Sequence, residues 1–166
     1  MKQAISKVVH GTLPGDSLRI VEEKIKILFN AKGKEKVNEI RKKMQSLMME
    51  KGSVFRNEEG LKTGIEGIRS LRERYENIGV TDKRKAFNFE LMEAMELDHQ
   101  LALSEVILSG ALHRRESRGA HYREDFPARA DWYFLKHTLV FQTPKGPEVK
   151  YKPVKITRFQ PEARVY

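Results

Sequence analysis

Apolar residues recur every three or four positions through most of residues 16–116, which is the spacing of one face of an α-helix. The first helix predicted in this way follows the turn at Pro14 and Gly15, and Asp16 or Ser17 is its capping residue. Its apolar positions are Leu18, Val21, Ile25 and Leu28. A second predicted helix ends at Gly52, and its apolar positions are Val37, Ile40, Met44, Leu47 and Met48.

The third predicted helix has a clear start signal. Asn57 is a favourable N-cap, and Glu58 and Glu59 lie in the first turn, where the helix dipole favours negative charge. Gly64 and Gly67 lie inside this helix, and each interior glycine costs up to about 1 kcal/mol relative to alanine. We interpret them as positions where a neighbouring helix approaches closely. The apolar positions of the helix are Leu61, Ile65, Ile68, Leu71 and Tyr75.

The fourth predicted helix begins after Asn88 and continues to about Arg114. Apolar residues cover most of its circumference, as in a helix that is buried on most sides. Phe87 and Met92 flank its start at the positions of a hydrophobic staple. Amphipathic helices around a central apolar helix, joined by short loops, indicate an antiparallel bundle, so the predicted fold class is mainly α.

Beyond Glu116 the helical spacing gives way to prolines, aromatic residues and alternating positions. Residues 137–142 and 149–152 are predicted strands, and the Thr-Pro-Lys-Gly-Pro segment between them is a turn. Pro153 restricts the second strand to a sheet edge. Residues 154–157 alternate again, which is typical of a further strand.

These patterns divide the chain into three parts. Residues 1–15 are a lead-in or linker, residues 16–116 form the helical bundle, and residues 117–166 form a β-containing C-terminal extension. A single hairpin is marginally stable by itself in water. We therefore expect the extension to pack both on the bundle and on a surface that this chain does not supply.

Composition excludes several classes of function. The chain has no cysteine, which excludes disulfides, thiolate nucleophiles and cysteine-ligated zinc or iron–sulfur centres. No apolar run is long enough for a membrane span or a secretory signal, so we expect a soluble, intracellular protein. Dinucleotide and phosphate-binding glycine motifs, His-Glu-x-x-His and Gly-x-Ser-x-Gly are all missing. The histidines show no metal-ligand spacing, so no catalytic, cofactor-binding or metal-binding residue is predicted.

The charge of the chain raises the question of a nucleic-acid partner. Lysine and arginine number 32 and aspartate and glutamate 23, which gives a formal net charge of +9. The cations are spread along the chain and mixed with acidic residues instead of being gathered on one helix. We therefore do not expect nucleic acid as a partner. A basic surface that faces an acidic protein fits the composition equally well, and a free-standing basic helical binding module stays open as an alternative.

The densest polar cluster follows the fourth predicted helix. Residues 113–127 read His-Arg-Arg-Glu-Ser-Arg-Gly-Ala-His-Tyr-Arg-Glu-Asp-Phe-Pro. Gly119 suits the position of a helix terminator, and the cations around it suit a helix C-terminus. These roles leave the other polar side chains of the turn unexplained. Such a loop is typical of an intramolecular salt-bridge cluster or of a docking surface, more than of a catalytic centre.

Residues 115–127 resemble the signature of the C-terminal domain of succinate dehydrogenase and fumarate reductase flavoprotein subunits. The resemblance covers nearly all of residues 17–166. Further segments are similar to the family in the same order, namely residues 55–61, 87–88, 135–141 and 152–157. Aspartate oxidase flavoproteins share a similar Glu-Ser-Arg-Gly turn, so the C-terminal domain of an L-aspartate oxidase stays open as an alternative.

The resemblance implies a spectrin-repeat-like antiparallel helical bundle with a C-terminal β-hairpin extension. It also implies a parent oxidoreductase that interconverts succinate and fumarate through FAD and passes electrons to an iron–sulfur subunit. In this family the flavin-binding and substrate-binding domains precede this region, and the chain has no counterpart of them. We therefore expect FAD in the full-length parent only, and a chain that is inactive by itself. The expected location is the cytoplasm, at the inner face of the cell membrane, reached through partner subunits without direct membrane insertion.

The resemblance also gives the cluster a structural role, in which it docks onto the flavin-binding domain of the same subunit. Charge-assisted hydrogen bonds from its arginines would hold that contact, while a histidine and an aspartate fix the loop. Arg118→Ala is then expected to weaken docking and to leave melting of the bundle nearly unchanged. The expected partners are the flavin-binding domain and the iron–sulfur subunit. The six candidate docking residues are Arg115, Ser117, Arg118, His121, Arg123 and Asp125.

Overall fold

The structure is a computed structural model that describes residues 11–12 and 14–162. Most of the lead-in predicted for residues 1–15 lies outside these described residues. The helices are α1 (Ser17–Phe29), α2 (Val37–Lys51), α3 (Glu58–Tyr75), α4 (Phe89–His113) and the short α5 (Asp131–Phe134). The strands are β1 (Phe55–Arg56), β2 (Tyr122–Arg123), β3 (Lys136–Thr143) and β4 (Gly146–Pro153). The described residues therefore form a mainly helical domain with a C-terminal antiparallel hairpin, as predicted.

Helices α2, α3 and α4 form the centre of the bundle, and α3 runs antiparallel to both neighbours. The Tyr75 hydroxyl at the end of α3 donates a 2.9 Å hydrogen bond to the Ala94 carbonyl near the start of α4. Gly64, in the first half of α3, lies beside Leu108 in the second half of α4. The core between the helices consists mainly of Val37, Ile40, Met44, Leu61, Ile65, Ile68, Leu71, Ala94, Leu97, Leu101 and Leu108.

The interior glycines of α3 have the predicted role. A Cβ atom on Gly67 would lie 2.6 Å from Cδ2 of Leu47 on α2. A Cβ atom on Gly64 would lie 3.2 Å from Cδ1 of Leu108 on α4. Both distances are tighter than ordinary carbon–carbon contacts, so the missing side chains permit close packing of α3 between its two neighbours.

Local capping signals were predictive for α3 and α4, but the predicted staple was wrong. The Asn57 side chain accepts a 2.8 Å hydrogen bond from the Gly60 amide, and Asn88 accepts one of 2.9 Å from the Leu91 amide. Phe87 does not form a staple with Met92. Its backbone has a positive φ of 53°, and its side chain is 84% exposed, because the chain enters α4 with this residue turned outward.

Helix α1 departs from its predicted burial. Leu28 is buried, but Leu18 and Val21, on the same predicted apolar face, are exposed. The packing of α1 is mainly against α4, where Lys24 and Asp98 pair at 2.5 Å. Among the residues that the structure describes, the first half of the helix therefore has no second neighbour that covers its apolar face.

The predicted hairpin is confirmed, and its strands are longer than predicted. Val140 of β3 pairs with Val149 of β4, and Thr143 pairs with Gly146 at the turn. The hairpin packs on the C-terminal half of α4, where Gly110 faces Val140. Residues 154–157 do not form the further strand that their alternation predicted, since they pair with no neighbouring strand. None of the described helices combines the length and the apolar character that crossing a bilayer requires.

Candidate functional site

The polar cluster forms a bend, here called the arginine bend and defined as residues 114–131, between α4 and α5. Helix α4 ends at His113, so Gly119 does not terminate it as predicted. Gly119 instead adopts a left-handed φ of 58° in a tight turn. That turn is closed by hydrogen bonds of 2.8 Å and 3.0 Å between the backbones of Arg118 and His121.

Arg123 lies at the centre of the arginine bend and is fully buried. Its Nη1 donates hydrogen bonds to the carbonyl oxygens of Ala111 and Leu112, at 2.8 Å and 3.0 Å. These carbonyls belong to the last turn of α4, where a helix has no internal donors left for them. The positive charge also lies at the negative end of the helix dipole. Arg123 therefore caps α4 from a position ten residues beyond its end.

Asp125 joins Arg123 to the start of α3. Its carboxylate accepts two hydrogen bonds of 2.7 Å from the Arg123 guanidinium and one of 3.0 Å from the Glu58 amide. These bonds, led by that of Arg123, hold the pKa of Asp125 below its ordinary value. The parallel pairing of β1 with β2 reinforces the same junction. The arginine bend thus fastens the end of α4 to the beginning of α3.

Glu116 is a second buried centre, with no exposed surface. Its carboxylate accepts hydrogen bonds from Arg114, from Arg118 at 2.9 Å and 3.1 Å, and from the Ala130 amide at 2.8 Å. Burial raises the pKa of Glu116, but the bonds from Arg118 and Ala130 together with the charges of Arg118 and Arg114 outweigh burial, so the pKa lies below its ordinary value. Arg118 also pairs with Asp131, which ties the start of α5 to the arginine bend.

Ser117 and His121 complete the internal network. The Ser117 hydroxyl accepts a 2.9 Å bond from the Arg123 amide and donates one of 2.9 Å to the Phe126 carbonyl. The imidazole of His121 lies between Nη1 of Arg56, 2.8 Å from its Nδ1, and the Arg114 carbonyl, 3.0 Å from its Nε2.

The surroundings of His121 assign its protonation state. A guanidinium only donates hydrogen bonds, so Nδ1 accepts and Nε2 carries the proton of a neutral ring. Burial lowers the pKa of His121, and the charges of Arg56, Arg123 and Arg114 lower it further. His121 is therefore a neutral structural link between the segment before α3 and the end of α4.

Arg115 differs from the other five predicted site residues. It is exposed, and within the described residues it forms no hydrogen bond or ion pair. Its guanidinium carbon lies 6.0 Å from the centre of the Phe126 ring. The structure thus brings all six predicted residues into one bend, where five are bonded within the chain and Arg115 points outward.

The sequence alone led to the expectation that Arg118→Ala leaves melting of the bundle nearly unchanged. Because Arg118 bonds to the buried Glu116, we instead predict that this change destabilises the bundle. Sequence reasoning also missed four members of the network. Glu116 and Arg114 had a usable signal, since a glutamate among arginines at a helix end indicates an ion pair. Arg56 is far away in sequence, and nothing near it indicated a role. The four missed residues are Arg56, Arg114, Glu116 and Asp131.

The arrangement of the network supports a structural role. Within the part of the chain that the structure describes, no three histidine, aspartate or glutamate side chains lie close enough to hold a metal ion. Each of its carboxylates is paired with an arginine, while Arg56 bonds to His121 and to backbone carbonyls. What the arrangement does is to fix the relative positions of α3, α4 and α5.

Comparison with known proteins identifies the family. The family model described as "Fumarate reductase flavoprotein C-term" matches residues 41–166. The fumarate reductase flavoprotein subunit of Haemophilus influenzae is 38% identical over 147 residues, which is 88% of this chain and 24% of that protein. This chain belongs to the fumarate reductase flavoprotein C-terminal family.

Other relatives place the chain within fumarate reductase and succinate dehydrogenase flavoproteins. The succinate dehydrogenase flavoprotein subunit of Rickettsia conorii is 39% identical over 154 residues, 92% of this chain and 26% of that subunit. The structure of Escherichia coli quinol fumarate reductase with a mutation in FrdA superimposes with a TM-score of 0.89 at 34% identity. The superposition covers 99% of this chain and 29% of the chain in that structure. The domain therefore spans about a quarter of the length of the curated relatives it matches.

Proposed function

We propose that this domain is the non-catalytic brace of an FAD-dependent flavoprotein subunit that interconverts succinate and fumarate. The observation that carries the proposal is the match of residues 41–166 to the C-terminal region of such subunits, at about a quarter of their length. The relatives favour this branch over L-aspartate oxidase. A network that fixes helices relative to one another suits a brace.

In this proposal the chemistry lies in the rest of the subunit. FAD is bound by the flavin-binding portion, and electrons pass to an iron–sulfur subunit. The domain reaches the inner face of the cell membrane, from the cytoplasm, through those partner subunits. The absence of a recognisable dinucleotide or phosphate motif in the sequence supports a brace without a cofactor of its own.

The arginine bend is the proposed contact with the flavin-binding portion. Residues 16–116 form the bundle, whose antiparallel helices support a spectrin-repeat-like description. Residues 117–166 form the extension, which packs on the bundle and on the flavin-binding portion. The bend acts through its shape: Ser117, Arg118, His121, Arg123 and Asp125 hold it rigid, and Arg115 faces the partner. A preorganised surface loses little conformational entropy on docking.

The proposal is tested with the purified domain and with the domain co-expressed beside the flavin-binding portion of a fumarate reductase flavoprotein subunit. We expect the domain alone to show no flavin absorbance and no succinate-dependent dye reduction, and to co-purify with the flavin-binding portion in a 1:1 complex. Stoichiometric FAD on the domain alone would overturn the non-catalytic role, and failure to co-purify would overturn the brace. A steep salt dependence of binding to duplex DNA would instead support a basic binding module.

A further inference from the structure

A cleft of about 960 Å³ opens beside the arginine bend, between the end of α4, α5 and the hairpin. We call it the aromatic cleft. Two of the candidate docking residues, Arg115 and Asp125, line it. Its principal lining side chains are His113, Arg115, Phe126, Trp132, Tyr133 and Tyr151.

The aromatic side chains of the cleft are exposed to an extent that is unusual for their size. Trp132 is 88% exposed and Tyr133 is 50% exposed, and their rings lie 5.6 Å apart. Large exposed aromatic residues mark interaction sites, because tryptophan and tyrosine supply much of the binding energy when a partner covers them. The cleft therefore has the composition of an interface that is open in the isolated domain.

The wall that carries Trp132 is held in place by the buried ion pairs. The Ala130 amide is bonded to Glu116, and Asp131 pairs with Arg118 and with Arg129, the latter at 2.7 Å. These bonds fix the residues on the N-terminal side of Trp132. The cleft is thus preformed by the same network that fixes the helices.

The unpaired charge around the cleft is positive. Arg115 has no carboxylate partner among the described residues. Lys136 has none either: its Nζ lies over the rings of Tyr133 and Tyr151, at 3.6 Å and 4.1 Å from their centres. The acidic groups of the cleft are already occupied, since Glu58 pairs with Lys62 at 2.6 Å and Asp125 pairs with Arg123. A carboxylate on a partner would complete this arrangement.

We propose that the aromatic cleft receives a segment of the flavin-binding portion that carries a carboxylate beside an apolar side chain. The inference rests on the proposed function and names its contact. The carboxylate meets Arg115, and the apolar side chain covers Trp132 and Tyr133. About three quarters of the length of the relatives lies outside the region matched by this domain, and the cleft is continuous with the arginine bend, so the rest of the subunit is the occupant that the observations favour.

The test uses the single tryptophan of the chain as its reporter. The full chain is labelled with 5-fluorotryptophan, which gives one ¹⁹F NMR signal from Trp132, and is compared alone and in the co-purified complex. We expect the signal to move on complex formation, and Arg115→Glu to raise the dissociation constant at least tenfold. Lys42→Glu, an exposed change of the same charge on α2, is the matched control and leaves the dissociation constant within twofold.

The outcomes separate the inference from the proposed function. If the complex forms while the ¹⁹F signal does not move and Arg115→Glu leaves the dissociation constant unchanged, the cleft is not the contact. The proposed brace role would then still stand. Failure of the complex to form would overturn the brace and the cleft together. A signal that moves with the concentration of the domain alone, with a dimer in sedimentation, would assign the cleft to a second copy and overturn our occupant. Trp132→Ala provides a second variant that does not depend on charge.

Discussion

Arg123 and Asp125 form a paired contact in which two guanidinium nitrogens each lie 2.7 Å from a different carboxylate oxygen. The arginine is fully buried, while the aspartate side chain is 30% exposed. Such a geometry fixes both the distance and the plane of the two groups. It is the contact through which the end of α4 and the start of α3 are held together.

The first prediction concerns this pair. Asp125→Asn keeps the shape of the side chain but removes the counter-charge of a buried guanidinium, and we expect the free energy of unfolding to fall by about 3 kcal/mol. Asp16→Asn is the control, because Asp16 is exposed and makes no side-chain capping bond, and its effect stays within about 0.5 kcal/mol. Urea denaturation of both variants measures the difference. Equal stability of the two variants would contradict the structural role of the pair.

The second prediction distinguishes two arginines of the same bend. Arg118→Ala removes the main partner of the buried Glu116, and we expect a loss of about 2 kcal/mol in the free energy of unfolding. Arg115→Ala removes a side chain without a hydrogen bond or ion pair among the described residues, so the change stays within about 0.5 kcal/mol. Thermal or urea unfolding measures both. If Arg115→Ala were the more destabilising of the two, the assignment of internal and outward roles would be reversed.

The third prediction concerns pH. The pKa of His121 is lower in the folded chain than the ordinary value of 6.5, so the unfolded chain binds a proton that the folded chain does not. The free energy of unfolding should therefore fall as the pH drops below about 6.5. Protonation of Nδ1 would place a donor against Arg56, with Arg114 and Arg123 also nearby. Glu116 and Asp125 also have lowered pKa values in the folded chain, so they reduce stability only at lower pH, as the pH falls through their ordinary values of 4.5 and 3.8.

His121→Gln tests the pH effect, because a glutamine side chain both accepts and donates hydrogen bonds but does not titrate. We expect this variant to lose most of the change in unfolding free energy between pH 7 and pH 5. His99→Gln removes an exposed histidine of α4 and serves as the control. The measurement is urea unfolding at three pH values in that interval. A pH dependence that persists in His121→Gln would assign the effect to another group.

The helices and the hairpin could be predicted because their signals are local. Asn57 and Asn88 cap their helices through residues three positions away, and the alternation of β3 and β4 lies within one hairpin. The exposure of Leu18 could not be predicted in this way. The helical pattern places it on an apolar face, but whether a neighbour covers that face depends on the tertiary packing.

The residues of the arginine bend could be predicted from the sequence, but the bonds that they form could be predicted only in part. The cluster in the sequence indicated either internal ion pairs or docking, and composition alone does not choose between them. The choice depends on distant residues: Arg56 meets His121 across 65 positions and Glu58 meets Asp125 across 67. No spacing rule in a single sequence relates residues so far apart.

At the opposite end of the bundle, two connections between helices also meet across a long stretch of sequence. Gly33 and Gly79 each lie in a connection between helices, and the backbones of the two connections are paired. The Gly33 amide donates a hydrogen bond to the Ile78 carbonyl and the Gly79 amide donates one to the Glu35 carbonyl, both at 3.0 Å. A Cβ atom on Gly33 would lie 1.8 Å from the carbonyl oxygen of Asn77, which is backbone and cannot turn aside.

Gly33→Ala should therefore separate the two connections and lower the free energy of unfolding by about 3 kcal/mol, at the upper end of the range for overpacking. Gly15→Ala is the matched control, because no atom of the described residues lies within 4 Å of a Cβ atom built there. Amide hydrogen exchange should show faster exchange of the Gly79 and Ile78 amides in Gly33→Ala, with the arginine bend unaffected. Since the bend and the glycine contact lie at opposite ends of α3, equal loosening of both ends would mean that α3 transmits the strain along its length instead of confining it.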